Sequence, residues 1–271
     1  MSRVKLPILN YHGLSSSSRP YPWLEEEKFY AVDRDVFSKH LDLLQSLGFS
    51  TLSCGLLENW FHAENGIPKP LMITFDDGHL SHYEEAAPLL KERKMNAVFF
   101  IPAGLVGQEG QMNWLQIREL QGAGFEIGSH GLMHLPLTDL PEPEVIKELA
   151  ESKKRLEEKL GRPILSLSIP RGFYQPRLRR IAQAVGYRWV FTSDFDVNCR
   201  TQDPLALKRM AVLKNTGDEE FLRMIQGDLG MRRMLEKAKT TLRSVIPPVF
   251  YDRLAGAKRL VAGVRERRAA L

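Results

Sequence analysis

Two adjacent carboxylates end an apolar run of the sequence. The segment "LMITF" (71–75) leads directly into Asp76, Asp77 and Gly78. Neighbouring carboxylates repel each other, and a chain tolerates this repulsion for one of two reasons. Both groups are solvated in a turn, because Asp-Gly is a common turn pair, or a cation or an acid/base reaction requires them. An isolated Asp-Asp-Gly favours the turn, so the rest of the chain must decide.

Two histidines end another apolar run. In "FEIGSHGLMH", His130 and His134 are four residues apart. If the segment after the strand makes a helical turn, this spacing lets both imidazoles face one point. Taken alone, the pair is equally typical of two solvated loop histidines. Together with an aspartate at the end of another strand, it forms a three-ligand set that leaves positions open for water and substrate, as catalytic metal sites do.

Short apolar runs alternate with amphipathic stretches along most of the chain. The alternation predicts a parallel sheet covered by helices, and seven or eight units in about 215 residues favour a closed α/β barrel over an open sheet. Segment 14–33 is predicted to be a long first loop on the active-site rim. The predicted strands are "KLPILNYH", "STLSCG", "LMITF", "NAVFFIP", "FEIGSH", "LSLSIP", "RWVFTS" and "LKRMAV", and the predicted helices cover 35–47, 83–93, 114–122, 142–160 and 176–185.

Composition favours a globular protein of a reducing compartment. Apolar residues make up 43% and charged residues 26% of the 271 residues, which is ordinary for a soluble domain. Cys54 and Cys199 do not make a disulfide framework. The N-terminal "MSRVKLPILNYHGL" resembles a first strand more than a signal peptide, and no window approaches the roughly 18 apolar residues of a membrane span. We therefore expect the protein in the cytoplasm.

Three motifs in a fixed order carry a family resemblance. "ITFDDG", "SHGLMH" and "IPRGFYQP" resemble the motifs of polysaccharide deacetylases, the metal-dependent enzymes of carbohydrate esterase family four. "NAVFFIPAGLVG" and "NWLQIRELQGAGFEIGSH" are also similar, and the likeness covers residues 5–212. The resemblance implies a distorted (β/α)7, TIM-like barrel. It also implies a hydrolase that removes N-acetyl groups from the amino sugars of a polysaccharide or saccharide precursor, for instance in exopolysaccharide biosynthesis.

The resemblance also assigns roles to residues. Asp77, His130 and His134 match the metal ligands, and Asp76 matches the general base. The backbone N–H of Arg171 in "IPRGFY" matches the donor that stabilises the oxyanion. The cation is typically Zn²⁺, and related enzymes accept Co²⁺ or Ni²⁺. The partner implied is an N-acetylated saccharide substrate.

This chemistry accounts for a pair of carboxylates. A divalent cation lowers the pKa of bound water from about 16 toward about 7. One carboxylate must hold the cation, while its neighbour stays free to take the proton of the water. Adjacent side chains of an extended strand point to opposite faces, so the strand must end or bend here, and Gly78 permits the bend.

The general acid departs from the commonest family pattern. Those members carry a late histidine that protonates the leaving amine, whereas His134 is the last of seven histidines here. His12, in "LNYHGL", resembles the N-terminal Tyr-His of exported poly-N-acetylglucosamine deacetylases, in which this histidine is the acid. The first and last strands of a barrel are neighbours, so either can deliver the acid. We therefore predict that His12 is the general acid; the alternative is that the acid step is lost.

Two further departures leave other functions open. Gly131 replaces the usual Ser or Thr after the first histidine of the second motif, and Ser168 replaces the usual Arg that orients the base. Both changes favour a catalytically impaired, saccharide-binding protein as one alternative. A metal-dependent hydrolase of a small cyclic amide or ureide is another, because relatives of this fold catalyse such reactions.

The last part of the chain is basic. Residues 231–271 hold 11 Lys and Arg against 3 Asp and Glu, whereas the remaining residues hold 27 against 30. We predict a deacetylase-like barrel over 1–225 and a helical extension over 226–271, with amphipathic helices at 231–246 and 249–271. Such helices bind anionic membranes, which would place the protein at the inner membrane face. The alternative is a first helix packed on the barrel and a solvated second one. Nucleic acid is not expected as a partner, because aromatic residues are not interleaved with the basic ones.

Overall fold

The computed structural model describes residues 5–17, 21, 28–62, 67–172, 174–230 and 232–236. The chain divides into two compact units, residues 1–229 and 230–271. Residues 232–236 of the second unit are helical. The rest of the two predicted C-terminal amphipathic helices lies outside the described residues. No helix among the described residues is both long and apolar enough to span a bilayer.

Strands and helices alternate through the first unit, as the sequence predicts. Two short helical turns accompany them: a π-helical turn at His82–Ala86 before the third helix, and a 3₁₀ turn at Pro170–Gly172. The strands are β1 (Ile8–Tyr11), β2 (Gly13–Ser15), β3 (Ala31–Asp33), β4 (Ser50–Thr51), β5 (Pro70–Phe75), β6 (Val98–Ile101), β7 (Glu126–Ser129), β8 (Ser166–Ser168), β9 (Trp189–Phe191) and β10 (Met210–Ala211). The helices are α1 (Arg34–Ser46), α2 (Cys54–His62), α3 (Ala87–Glu92), α4 (Trp114–Gly122), α5 (Glu142–Leu160), α6 (Pro176–Val185) and α7 (Asp218–Gln226).

The main sheet is parallel and curls into a distorted barrel. Its strand order is β10-β1-β5-β6-β7-β8-β9, and β4 pairs with the start of β5. A single parallel bridge between Phe191 and Leu207 joins β9 to the segment before β10 and draws the two ends of the sheet together. The predicted (β/α)7 barrel is confirmed. The prediction of a long first loop over 14–33 is wrong at its two ends, because β2 and β3 form a separate two-stranded parallel sheet.

The inside of the barrel is apolar at the N-terminal ends of the strands. Helix α2 contributes Cys54, Leu57 and Trp60 to this inner cluster. Gly128 on β7 is required here, because a Cβ at this position would lie 2.5 Å from the ring of Phe100. The strand residues of the inner cluster alternate with residues that pack outward against the helices. They are Ile8, Met72, Val98, Phe100, Trp189 and Phe191, with Leu207 beside them.

The outer layer packs helices against the other face of the strands. Helix α1 begins at the cap Asp33, whose carboxylate accepts from two backbone amides, and buries an apolar stripe at helical spacing. On the sheet, the rings of Tyr11 and Phe75 stack at 5.5 Å, and those of Phe75 and Phe99 at 5.0 Å. The predicted helices at 114–122, 142–160 and 176–185 are confirmed, whereas α2 and α7 were not predicted.

One histidine of this layer makes stability depend on pH. His40 is buried, its Nδ1 lies 3.1 Å from the Tyr11 hydroxyl, and its ring stacks on Phe221 at 3.8 Å. Burial lowers the pKa of His40 to about 4. An unfolded chain takes up this proton near pH 6.5. The unfolded state therefore binds more protons than the folded state between these values, and the free energy of unfolding falls as the pH drops through this window.

We expect His40→Gln to unfold with a shallower pH dependence than the wild type between pH 6.5 and 4.5. The difference in slope should approach about 1 kcal/mol per pH unit. Urea unfolding at several pH values measures it. His62→Gln is the matched control, since His62 is exposed on α2, and it should keep the wild-type slope. An unchanged slope in His40→Gln would contradict the assignment.

Candidate metal and catalytic site

The inside of the barrel becomes polar toward the C-terminal ends of the strands. Asn10 and Thr74 occupy inward positions of β1 and β5 above the apolar cluster. His12, Asp76 and His130 each follow an inward position of β1, β5 or β7 by two residues, so the strand alternation aims all three at the same end of the barrel. This is the end at which barrel enzymes hold their active sites.

The two adjacent aspartates diverge because the backbone turns between them. The amide of Asp76 donates to the carbonyl of Tyr11 at 3.0 Å, so Asp76 still belongs to the sheet. Asp77 and Gly78 then adopt left-handed conformations with φ of 74° and 65°. The bend predicted at Gly78 thus begins one residue earlier, at Asp77. Each carboxylate consequently meets different partners.

Asp77, His130 and His134 converge on one point. The Asp77 Oδ1 atom lies 3.2 Å from Nε2 of His130 and 3.2 Å from Nε2 of His134. All three ligand atoms lie within 4.8 Å of one another. The convergence does not use the helical turn that the sequence analysis gave as its condition: residues 131–134 form an irregular loop that is left-handed at Gly131 (φ 73°) and at His134 (φ 57°).

This donor set fits a divalent cation such as zinc. Zinc bonds to histidine and carboxylate ligands are about 2.0–2.1 Å long, so neighbouring corners of a tetrahedral site lie about 3.3 Å apart. The Nδ1 atom of His130 lies 2.8 Å from the carbonyl of Ser168, which leaves Nε2 for a cation. His130 is 2% exposed, whereas the side chains of Asp77 and His134 are 34% and 30% exposed, so one side of the cluster faces solvent.

The cluster is electrostatically prepared for positive charge. Burial alone would raise the pKa of Asp77, but hydrogen bonds to the two imidazoles hold it well below its usual range. Burial alone would lower the pKa of His130, yet the carboxylates of Asp76 and Asp77 raise it above its ordinary value. A divalent cation can satisfy the same acceptors in place of the imidazole proton, and its binding therefore releases protons.

Asp76 is paired with an arginine that the sequence did not assign to the site. The Nη1 and Nη2 atoms of Arg209 donate to the two carboxylate oxygens of Asp76, each at 2.8 Å. Both side chains are buried. Asn10 donates to Asp76 as well, at 3.1 Å. Burial raises the pKa of Asp76, but the Arg209 guanidinium outweighs this effect and lowers it below its usual range, so Asp76 is ionised.

The remaining donors of Arg209 tie several strands together. They reach the Asn10 side chain at 3.0 Å, the Ser168 hydroxyl at 2.8 Å and the Thr192 carbonyl at 3.0 Å. Ser168 stands where the third motif usually carries an arginine, and the guanidinium beside Asp76 comes from the segment before β10 instead. A sequence signal existed: Arg209 follows the inward-facing Leu207 by two residues in the predicted strand "LKRMAV", and a charge inside a barrel requires a partner.

His12 lies at the same end of the barrel, next to both aspartates. Asp77 and Asp76 both contribute to its electrostatic environment. Its carbonyl contacts Nε2 of the buried His82, and its ring packs on Tyr30 with centroids 4.6 Å apart. Its Nδ1 atom is buried and has no hydrogen-bond partner among the residues the structure describes. Burial lowers the pKa of His12.

Arg171 occupies a strained turn at the end of β8. The 3₁₀ turn Pro170–Gly172 holds Arg171 in a left-handed conformation, with φ 57° and ψ 0°. Gly172 follows with φ 70°, and a Cβ there would lie 1.9 Å from the Ser193 hydroxyl. A left-handed residue other than glycine is uncommon and points to a constraint imposed by the surrounding structure.

Comparison with known proteins identifies the family. The family model described as polysaccharide deacetylase matches residues 63–190. YxkH of Bacillus subtilis (strain 168), whose description places it among polysaccharide deacetylases, is 30% identical over 223 residues that cover 80% of this chain and 75% of YxkH. The chain belongs to the polysaccharide deacetylase family. The resemblance seen in the sequence motifs is therefore confirmed.

More distant relatives agree with this membership. The poly-beta-1,6-N-acetyl-D-glucosamine N-deacetylase of Staphylococcus aureus (strain MSSA476) is 25% identical over 84% of this chain and 81% of its own length. The solved structure of IcaB from Ammonifex degensii aligns with a TM-score of 0.70 and 27% identity over 82% of this chain and 96% of its own. The Streptococcus pyogenes deacetylase PplD, solved in complex with acetate, shares the fold, with a TM-score of 0.74 at 24% identity over 83% of this chain and 99% of its own.

Removing the partner of Asp76 should destabilise this deacetylase strongly. Arg209→Met leaves a buried carboxylate without its counter-ion, and we expect the free energy of unfolding to fall by about 3–5 kcal/mol. Arg179→Met is the matched control: its ion pair with Asp203 is largely exposed, so its loss should cost about 1 kcal/mol or less. Denaturant unfolding measures both variants.

A double variant isolates the ion pair. Asp76→Asn combined with Arg209→Met should recover part of the lost stability, because the unpaired charge is gone. Equal stability of Arg209→Met and Arg179→Met would show that the buried pair is not needed.

Proposed function

We propose that this protein removes acetyl groups from the N-acetylated amino sugars of a polysaccharide or saccharide precursor, using a divalent cation. The observation that carries the proposal is the convergence of Asp77, His130 and His134 beside a second carboxylate, Asp76, that is held separately. Family membership supports the reaction. The name of the Staphylococcus aureus relative, a poly-beta-1,6-N-acetyl-D-glucosamine N-deacetylase, supports an N-acetylglucosamine polymer as the substrate class.

Two difficulties of amide hydrolysis define the tasks of the site. An amide carbonyl is a poor electrophile and water is a poor nucleophile. Asp77, His130 and His134 would hold a divalent cation, most simply Zn²⁺, which would polarise both the carbonyl group and the water. Co²⁺ or Ni²⁺ would suit the same imidazole and carboxylate donors. The partly exposed side of the cluster gives the substrate access.

Asp76 acts as the general base in this proposal. Its ion pair with Arg209 keeps it ionised and fixes its position, and it does not belong to the ligand set. The same ion pair makes it a weak base, so it would accept a proton only from an acidified water, which a cation held by the adjacent Asp77 would supply. This dependence explains why the base lies next in sequence to a ligand.

His12 acts as the general acid. Its buried Nδ1 atom has no partner among the described residues, and it lies close enough to both aspartates to respond to their charges. Burial lowers the pKa of His12 and so makes its protonated form a better proton donor to the leaving amine, while the charges of Asp77 and Asp76 favour that protonated form. The products are then acetate and the free amino sugar. The backbone N–H of Arg171, in its strained turn, is the proposed donor to the oxyanion.

Metal content tests the ligand set. We expect one divalent ion per chain in purified, zinc-loaded protein and loss of that ion in Asp77→Ala, measured by elemental analysis after gel filtration. Asp139→Ala, which removes an exposed carboxylate from the loop after His134, should retain the ion. Metal-free wild-type protein, or a full complement of metal in Asp77→Ala, would overturn the assignment.

Turnover tests the acid and the base. Acetate release from β-1,6-linked N-acetylglucosamine oligomers should fall about 10²–10⁴-fold in Asp76→Asn and in His12→Ala, with the metal retained. Opening of the allantoin ring to allantoate, without acetate release from the oligomers, would favour a cyclic-ureide hydrolase. Binding of the oligomers without turnover would favour a saccharide-binding protein. Unchanged turnover in both variants would refute the acid and base roles.

The cytoplasmic location, the contact of the basic extension with a membrane and the exclusion of nucleic acid as a partner stay predictions.

A further inference from the structure

Helix α5 carries two polar residues within its buried stripe. Glu148 and Ser152 are both buried, among the apolar residues Val145, Leu149 and Leu156. The part of the chain that the structure describes gives Glu148 no ion-pair partner. Burying a carboxylate costs free energy unless hydrogen bonds compensate it. The hydrogen bonds that Glu148 accepts therefore indicate its structural role.

Those hydrogen bonds come from the loop between the two histidine ligands. The Glu148 Oε2 atom accepts from the backbone amides of Leu132 and Met133, each at 3.0 Å. The Ser152 hydroxyl donates to the carbonyl of Gly131 at 2.8 Å. Hydrogen bonds to a charged acceptor are about twice as strong as neutral ones. The carboxylate therefore holds two consecutive amides of the loop in one orientation.

The loop needs this support because it has no regular structure of its own. It starts at Gly131 and ends at His134, both left-handed, and so cannot satisfy its amides as a helix would. On its other side, the amide of Gly104 donates to the Leu132 carbonyl at 2.7 Å. A Cβ at Gly104 would lie 2.7 Å from the same carbonyl oxygen, so the contact is close. Glu148 binds the amides of the same loop from the opposite side, the side of helix α5.

We propose that Glu148 is a positioning residue, which holds residues 131–134 in the conformation that brings the His134 imidazole to Asp77 and thereby sets the affinity of the site for its cation. The proposal rests on the proposed function. It also assigns a substitute for the side chain that Gly131 lacks, since the ideal Cβ position of residue 131 lies 3.6 Å from the Glu148 Oε2 atom.

Metal affinity tests the proposal with an isosteric variant. In Glu148→Gln the charge is lost while the shape is kept, and we expect the Zn²⁺ dissociation constant, measured by chelator competition on the full chain, to rise about 10–100-fold. Glu151→Gln, an exposed position on the same helix, should stay within about twofold of the wild type. The absorption spectrum of the Co²⁺-loaded protein should change in Glu148→Gln and not in the control.

Amide hydrogen exchange tests the loop without any metal. In the metal-free wild type, the Leu132 and Met133 amides should be protected. In Glu148→Gln and Glu148→Ala both should exchange at least about tenfold faster, while core amides of β6 keep their rates. The core amides show whether a variant is folded, and the Gln variant decides if the Ala variant does not fold.

The outcomes separate this proposal from the proposed function. A wild type that binds Zn²⁺ and releases acetate, with Glu148 variants that match it in affinity and in amide exchange, would overturn the role of Glu148 alone. A wild type that binds no Zn²⁺ would overturn the metal site, and unprotected Leu132 and Met133 amides would overturn the positioning role as well.

Discussion

The buried ion pair between Asp76 and Arg209 is the interaction on which the site depends. A lone carboxylate inside the barrel would be costly, and the guanidinium compensates it with two hydrogen bonds of 2.8 Å. The same guanidinium reaches Asn10, Ser168 and Thr192, so side chains and backbone near five strands meet at one planar group. Its five donors are all used, which leaves it one orientation and fixes that of the carboxylate.

The interior of the barrel changes from apolar to polar along its axis, and the two aspartates at the polar end have different environments. Apolar side chains and α2 fill the N-terminal end, and polar groups occupy the C-terminal end. Asp76 continues the inward alternation of β5 and is buried. Asp77, one residue later and left-handed, leaves the sheet and meets the histidines at the solvent-facing edge. A single backbone turn thus separates Asp76, which is paired with Arg209, from Asp77, whose carboxylate is available for a metal ion.

The strands and the cluster of Asp77, His130 and His134 could be predicted from the sequence, because the strands follow from local pattern and the cluster from residues at the ends of two of these strands. All eight strand segments that were predicted lie in the main sheet. The helix α2 was missed because its short segment begins with Cys54 and Gly55 directly after a strand and buries its apolar residues inside the barrel. Arg209 was missed for a different reason: its partner Asp76 is 133 positions away, and only the closure of the barrel brings them together. The conformation of the loop before His134 depends likewise on Glu148, which belongs to another element.

The barrel closes through residues that are synthesised late, namely β10 beside β1 and the bridge between Phe191 and Leu207. The three proposed metal ligands and the base all belong to the first 134 residues, whereas Arg209 and the strand that closes the sheet beside β1 are synthesised some 75 residues later. A nascent chain of intermediate length therefore contains every proposed ligand, but its sheet is still open and Asp76 lacks its partner Arg209. Completion of the barrel and the pairing and orientation of the Asp76 carboxylate by Arg209 are consequently a single late event.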